Sequence, residues 1–297
     1  MKLVRRALAG AAALLLLALA QTAQAAPALW AVRDHDSTIY LFGTMHVLSP
    51  ETVWRTPEYD QALAASSVVW FETDVAADVK TVGRAMIKYG FDFKRPLKDK
   101  VSPETMIKVR RAMKGFPGGV QMVEHMQPWI VAMMVGMAPA ARSGLTSANG
   151  ADMTISRDLT TDGQTVRFFE TVEGQLRILA DLPQDVQIQM LEDAVAASGD
   201  GFLGDAEAED VDFGESAWVN GDVQLYGSAM AIAMRDSRPA IYEALLLRRN
   251  RAWAAVLARE MRGRGVEMVN VGALHLVGED GLVALLRRRG FVVERIQ

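Results

Sequence analysis

Two copies of Gly-x-x-His stand far apart in the chain, at Gly43-Thr44-Met45-His46 and Gly272-Ala273-Leu274-His275, and they use two of its four histidines. Each follows an apolar, β-branched run of the kind that forms a strand, Thr38 to Phe42 in the first case and Val266 to Val271 in the second. Two carboxylates occupy matching places: Glu72 ends the continuous apolar run Val68-Val69-Trp70-Phe71, and Glu170 ends Thr165 to Phe169. Open α/β sheets bind ligands beyond the carboxyl ends of their strands, so His46, Glu72, Glu170 and His275 are the first candidates for a site. Gly43 and Gly272 would let the backbone turn sharply, and let a ligand come close, before each histidine projects inward.

Two neutral imidazoles suit Zn, Mn, Co, Ni or Fe, with a carboxylate completing the protein ligands and water in an open position. Such a metal lowers the pKa of its water and supplies hydroxide near neutrality. Glu72 is then the ligand or general base, with Glu170 as the alternative. Either glutamate can equally be a helix cap or half of a salt bridge. Arg249 and Asn250 open a predicted helix after Leu245-Leu246-Leu247, where a guanidinium and an amide can hold a substrate carboxylate or a developing oxyanion. Arg248 and Arg251 beside them leave an exposed basic turn as the other reading. His35, in a turn beside Asp36, and His125, beside Glu124, are read as structural or surface residues.

The elements that must position these groups alternate between strand and helix. A strand over 28–33 and one over 38–42 flank the turn His35-Asp36-Ser37, and Thr56-Pro57 caps a helix reaching about Ala65. From about Val75 to Ala141 the pattern is mainly helical, with a cap signal at Ser102-Pro103-Glu104 and a break at Phe116-Pro117-Gly118-Gly119. Within it, Trp129 to Ala141 carries Met133, Met134 and Met137, which fits a buried helix or an adaptable pocket wall. A helix over 150–160 precedes the strand that ends at Glu170. Residues 199–215, rich in Gly, Asp and Glu, read as a solvated loop. Helices follow from about Ser216 to Arg262, then the strand bearing the second motif, a helix from Glu279 to Arg289 stopped by Gly290, and a last strand over 291–296. The expected fold class is therefore α/β, a largely parallel central sheet covered by helices, with a mainly helical insertion.

Composition narrows the partners. Lys2, Arg5 and Arg6 precede an apolar run from Ala7 to Ala20 and the small-residue pattern Ala23-Gln24-Ala25, which reads as a secretory signal cleaved after Ala25 or Ala26. Losing those three cations takes the formal charge from −4 to −7, which argues against nucleic acid or an anionic membrane surface as partner. No cysteine is present, so disulfides, thiolate ligands and a cysteine nucleophile are excluded. A periplasmic or secreted protein without stable membrane insertion, acting on a peptide or small molecule, is expected.

Taken together the motifs resemble the TraB/PrgY/GumN family, which also includes the Tiki proteins. The resemblance runs from about Leu29 to Arg295. It is strongest from Val271-Gly272-Ala273-Leu274-His275 through Leu286, and is supported by Leu41-Phe42-Gly43-Thr44-Met45-His46, Phe71-Glu72, Gly150-Ala151-Asp152, Phe169-Glu170-Thr171 and Arg249-Asn250. It implies a single α/β domain over 26–297 akin to erythromycin-esterase-like and ChaN-like proteins. It also implies a hydrolase, most of all a peptidase, using a divalent metal such as Mn, Co or Zn. His46 and His275 would be the ligands, Glu72, Glu170, Arg249 and Asn250 the catalytic group, and Asp152 a substrate contact. A sequestering protein without turnover and a haem-binding protein are the alternatives. Many relatives have a second glycine before the last histidine, where this chain has Leu274.

Overall fold

A computed structural model describes residues 26–114, 116–159, 163–198, 208–224, 227 and 229–297; the segment expected to be a secretory signal and residues 199–207 of the acidic stretch lie outside the described residues. Strand β1 (Leu29–Arg33) and strand β2 (Ser37–Thr44) form an antiparallel hairpin, registered from Leu29 opposite Phe42 to Arg33 opposite Thr38. The turn between them closes because the Asp34 carboxylate accepts the N–H groups of Asp36 and Ser37, the usual aspartate turn device.

Four more strands follow: β3 (Val68–Phe71), β4 (Thr165–Phe168), β5 (Gly265–Gly272) and β6 (Val292–Arg295). The sheet order is β4-β3-β5-β2-β1-β6. The β3–β4, β3–β5 and β2–β5 pairs are parallel, and β1 runs antiparallel to both of its neighbours. The largely parallel sheet expected from the sequence is what forms. Its carboxyl edge brings the ends of β3, β5 and β2 side by side, and Glu72, His275 and His46 follow those three strands.

The helices in chain order are α1 (Pro57–Ala65), α2 (Val79–Gly90), α3 (Pro103–Ala112), α4 (Pro128–Gly136), α5 (Ala138–Arg142), α6 (Ala151–Asp158), α7 (Val172–Ala180) and α8 (Gln184–Ala197). After them come α9 (Ala208–Val219), α10 (Ala229–Ser237), α11 (Pro239–Tyr242), α12 (Arg248–Glu260) and α13 (Leu282–Arg288). One face of the sheet packs on α12 and α13 through Trp253, Leu257, Leu282 and Leu286, and the other on α1 and α6 through Tyr59, Leu63 and Ile155. A separate apolar cluster joins α3 and α4 to α8, with Val109, Trp129, Ile130 and Leu191 at its centre, so the helical part extends past the expected limit at Ala141. None of the helices among the described residues is long and apolar enough to cross a membrane.

Three local expectations change. The acidic stretch is helical from Ala208, where α9 begins, because its second half continues into Ala217 and Trp218, which are buried against the sheet. Trp129 to Ala141 is two helices broken at Met137; Trp129, Ile130, Val131 and Val135 are buried, whereas Met133 is 44% exposed on the cleft side. The motif glycines are not required by their backbone angles, since neither has a positive φ and Gly272 leads into the turn Ala273–His275 from a conformation open to any residue. Gly43 serves close approach instead: a Cβ there would lie 2.9 Å from the Cα of Ala273, where the second motif crosses the end of β2.

Candidate active site

The two motif histidines end up in different environments. His275 lies in a short turn (Ala273–His275) directly after β5 and is 4% exposed. Its Nδ1 meets Oδ1 of Asn250 at 2.6 Å, while Nδ2 of that amide donates to the carbonyl of Asp280 at 2.9 Å. The amide oxygen is thus an acceptor, Nδ1 carries the proton, and the lone pair of Nε2 is left to accept from Nη1 of Arg249 at 3.0 Å. His46 follows β2, with a side chain 58% exposed to the cleft, and its Nδ1 lies 3.3 Å from Oδ2 of Asp152. The N–H of Ala151 donates to the carbonyl of Met45 at 2.9 Å, which docks the start of α6 beside the first motif and sets Asp152 against the ring.

Arg249 is the hub of the buried charges. Nε and Nη2 hold both oxygens of Glu170 at 2.8 and 3.0 Å, and Nη2 also holds Oε2 of Glu72 at 2.6 Å. Nη1 reaches the carbonyl of Leu245 at 3.0 Å as well as His275. A π-helical turn over Glu243–Leu247 precedes α12, which carries Arg249 on its first turn. The guanidinium lies 4.6 Å from the Trp253 ring centre, one turn along α12. All five N–H donors are therefore committed inside the protein, and Arg249 positions Glu72 and His275 rather than waiting for a substrate. Asn250, 2% exposed, does the same for His275. Glu170 braces Arg249 from behind and does not line the main cleft.

Glu72 is 7% exposed and accepts the Gly272 N–H at 2.7 Å through Oε1, which lies 3.6 Å from Nε2 of His275. Gln175 reaches Oε2 at 3.3 Å. The second motif glycine keeps this centre open: a Cβ on Gly272 would stand 3.2 Å from Oε1 of Glu72, 3.2 Å from Nε2 of His46 and 3.7 Å from Cδ2 of His275. The space over Gly272 is thus the point where three of the expected residues converge.

Electrostatics separate the groups further. Burial alone would raise the Glu72 carboxyl, but the charges of His275, Arg249 and His46 and the Gly272 N–H reverse this and hold it near 2. Burial pushes His275 the other way, down to about 3, and Arg249 and His46 add to the push against the opposing pull of Glu72. His275 is therefore neutral at working pH, and Arg249, with His46, supplies the positive charge that keeps Glu72 ionised. For His46, the protein walls around the cleft displace solvent and lower the pKa, yet the bond and charge of Asp152, with the charge of Glu72, outweigh this and raise the ring to about 9.

The donor types suit a divalent metal, but their arrangement does not. Nε2 of His275, the nitrogen that would bind the ion, is already accepting from a guanidinium, and a second cation beside that guanidinium would be repelled. Among the described residues, the three metal-type side chains whose ligand atoms lie within 4.8 Å of one another are Asp34, His35 and Asp36, on an exposed turn. The expected metal centre shared by His46 and His275 therefore does not match the geometry.

Around these groups lies a cleft of about 500 Å³, within the range of small-molecule sites. Its floor includes Thr44, His46, Glu72 and Asp152, and its walls are apolar, among them Trp129, Met133, Leu179 and Leu245. Sequence reasoning missed Thr44 and Asn270 as part of this floor. Asn270 had a visible signal, a lone amide between Val269 and Val271 in a buried strand. The other two histidines stay outside: His35 has a side chain 87% exposed, 3.2 Å from Asp36, and His125 lies against the ring of Phe93.

Residues 28–295 match the TraB/PrgY/gumN family. The chain is similar to the uncharacterized protein YbaP of Escherichia coli (strain K12), with 29% identity over 159 residues, covering 54% of this chain and 56% of that protein. The YbaP of Shigella flexneri matches to the same extent, so the chain spans about half the length of these curated relatives. No solved structure matches. With the match running from β1 through β6, the chain belongs to the TraB/PrgY/gumN family.

Proposed function

We propose that this chain is a hydrolase that cleaves an amide or ester bond in an apolar peptide or peptide-like small molecule, with His46 as the group that moves the proton. The observation that carries this reading is the pairing of His46 Nδ1 with Asp152 at 3.3 Å, which leaves Nε2 facing the space over Gly272 that Oε1 of Glu72 also borders. A water in that space has an imidazole to take its proton and a carboxylate to orient it. Neutral His46 accepts the proton as the water oxygen bonds to the substrate carbonyl carbon and the π pair moves onto the carbonyl oxygen. On collapse the carbon–leaving-group bond breaks, and His46 returns the proton to the departing nitrogen or oxygen. A positioned acid–base of this kind contributes roughly 10²–10⁴-fold to rate.

Family membership and the apolar walls support the substrate side of the reading. The basic and then apolar start, followed by Ala23-Gln24-Ala25, supports action outside the cytoplasm, and an N-terminus at Ala26 or Pro27 on the mature protein would bear that out. The test is a panel of p-nitrophenyl esters and apolar N-acyl peptide amides, assayed with wild type and His46→Ala. A loss of about 100-fold or more in the variant is expected; equal rates would overturn the reading, and binding without product would turn it into ligand sequestration.

A further inference from the structure

Four residues lining the cleft carry a buried polar atom without a hydrogen-bond partner among the described residues: Oγ1 of Thr44, Oγ1 of Thr73, Oδ1 of Asp152 and Nδ2 of Asn270. An orphaned polar group in a folded interior is costly, and a ligand contact is one reason to keep it. Thr44 and Asn270 are 2% and 1% exposed. Tyr59 donates to Oδ1 of Asn270 at 3.3 Å, which fixes the amide with its N–H groups unspent.

Their placement is specific. Thr44 is the Cα partner of Gly272 across the parallel β2–β5 pair, and Asn270 stands two residues before Gly272 on β5. Side chains alternate along a strand, so Thr44, Asn270 and the open position of Gly272 share one face of the sheet. That face carries the space bordered by Nε2 of His46 and Oε1 of Glu72.

We infer that the Thr44 hydroxyl and the Asn270 amide form the donor pair that holds a substrate's carbonyl oxygen, and that the substrate is an uncharged acyl compound with an apolar body. The fate of that carbonyl rests on the hydrolase reading; its binding does not. Both donors are neutral, and the charges nearby are already paired, His46 through Nδ1 with Asp152 and Arg249 with Glu72 and Glu170. An anionic substrate would meet the carboxylates of Glu72 and Asp152, and among the described residues lining the cleft each cation already has a carboxylate partner. During attack the carbonyl oxygen takes on the negative charge, so both donor contacts tighten as the reaction proceeds.

The test uses Thr44→Val, which keeps the shape and deletes the hydroxyl, and Asn270→Leu in a Tyr59→Phe background, which leaves no stranded hydroxyl. Thermal melting, hydrolysis of p-nitrophenyl hexanoate and calorimetric titration with N-acetyl-leucinamide are read in parallel, with His46→Ala as the control on turnover. Thr44→Val should melt at or above wild type, by about 1–3 °C, because it removes an unpaired polar atom, and should lose about 100-fold in kcat. Both variants should bind N-acetyl-leucinamide about 10-fold more weakly. A marked fall in the melting temperature of Thr44→Val would mean that its hydroxyl has a structural partner, and would overturn the inference. So would unchanged turnover alongside a His46→Ala that is inactive. If wild type and His46→Ala hydrolyse equally, the hydrolase reading fails and binding decides: weaker titration in both variants upholds the carbonyl site, whereas equal affinity or no binding by wild type ends it.

Discussion

Arg249 donates a hydrogen bond to Nε2 of His275 at 3.0 Å, and this contact separates the work of the two motif histidines. His275 receives it as a neutral ring whose other nitrogen is fixed by Asn250, so it is a buried acceptor in a closed network. His46 faces the cleft with only Asp152 behind it. The motifs look alike in sequence, yet one histidine is held in a buried charge network and the other faces the cleft.

Removing Arg249 should be severe. Glu72 and Glu170 have side chains 8% and 16% exposed and share this one guanidinium, so Arg249→Met would strand two carboxylates. Breaking a buried pair on one side costs about 3–5 kcal/mol, which urea denaturation would register as a large drop in midpoint. Arg249→Lys should recover little, because an ammonium cannot reproduce the fork on Glu170. A midpoint within error of wild type for Arg249→Met would contradict the network.

Stability should fall in acid in two stages. The folded pKa of His275 is depressed from 6.5 to about 3, so below pH 6.5 the unfolded chain takes up a proton that the folded chain refuses, and stability drops as pH falls toward 3. Glu72 is depressed from 4.5 to about 2, so its contribution is present above 4.5 and is lost as pH falls through that range toward 2. Urea midpoints measured from pH 8 to pH 3 should decline from about 6.5 downward, and His275→Gln should remove the first stage. A flat profile between pH 7 and pH 5 in wild type would speak against a buried neutral His275.

Turnover should depend on pH in the opposite sense. His46 must be neutral to accept a proton, and its pKa is raised to about 9, so activity should climb through neutrality toward pH 9. Asp152→Asn removes the leading cause of that rise, and the limb of the pH–rate profile should move to lower pH. An unshifted limb in Asp152→Asn would separate the titrating group from His46.

Gly272→Ala is expected to abolish activity while leaving the fold intact. The backbone at Gly272 is accessible to any residue, so the substitution is not strained, but the new methyl would stand 3.2 Å from both His46 Nε2 and Glu72 Oε1, in the space assigned to the attacking water. Circular dichroism matching wild type, together with a rate loss of about 100-fold or more, is the expected pair of results. Full activity in this variant would place the reaction elsewhere.

Much of this layout was legible in the sequence because strands announce themselves. Short β-branched runs ending at Phe42, Phe71, Phe169 and Val271 located four strands to within two residues of their ends, and the rule that sites lie beyond strand carboxyl ends brought His46, Glu72 and His275 together. Partnership was not legible. Whether Arg249 faces substrate or Glu170 depends on the docking of α12 against the sheet, which no local pattern encodes. The same limit hid the pairing of Asp152 with His46, and it turned an expected metal ligand, His275, into an acceptor for Arg249. Asn270 escaped notice because one amide within an apolar strand reads as an exception until its unpaired nitrogen is seen on the cleft floor.

The most direct test is kcat/KM for a p-nitrophenyl ester or N-acyl peptide amide hydrolysed by wild type and His46→Ala, both dialysed against EDTA. The account predicts that chelated wild type keeps its rate and that His46→Ala falls by about 100-fold or more. Loss of wild-type activity in EDTA with recovery on adding Mn²⁺, Co²⁺ or Zn²⁺, or a His46→Ala as fast as wild type, would contradict it.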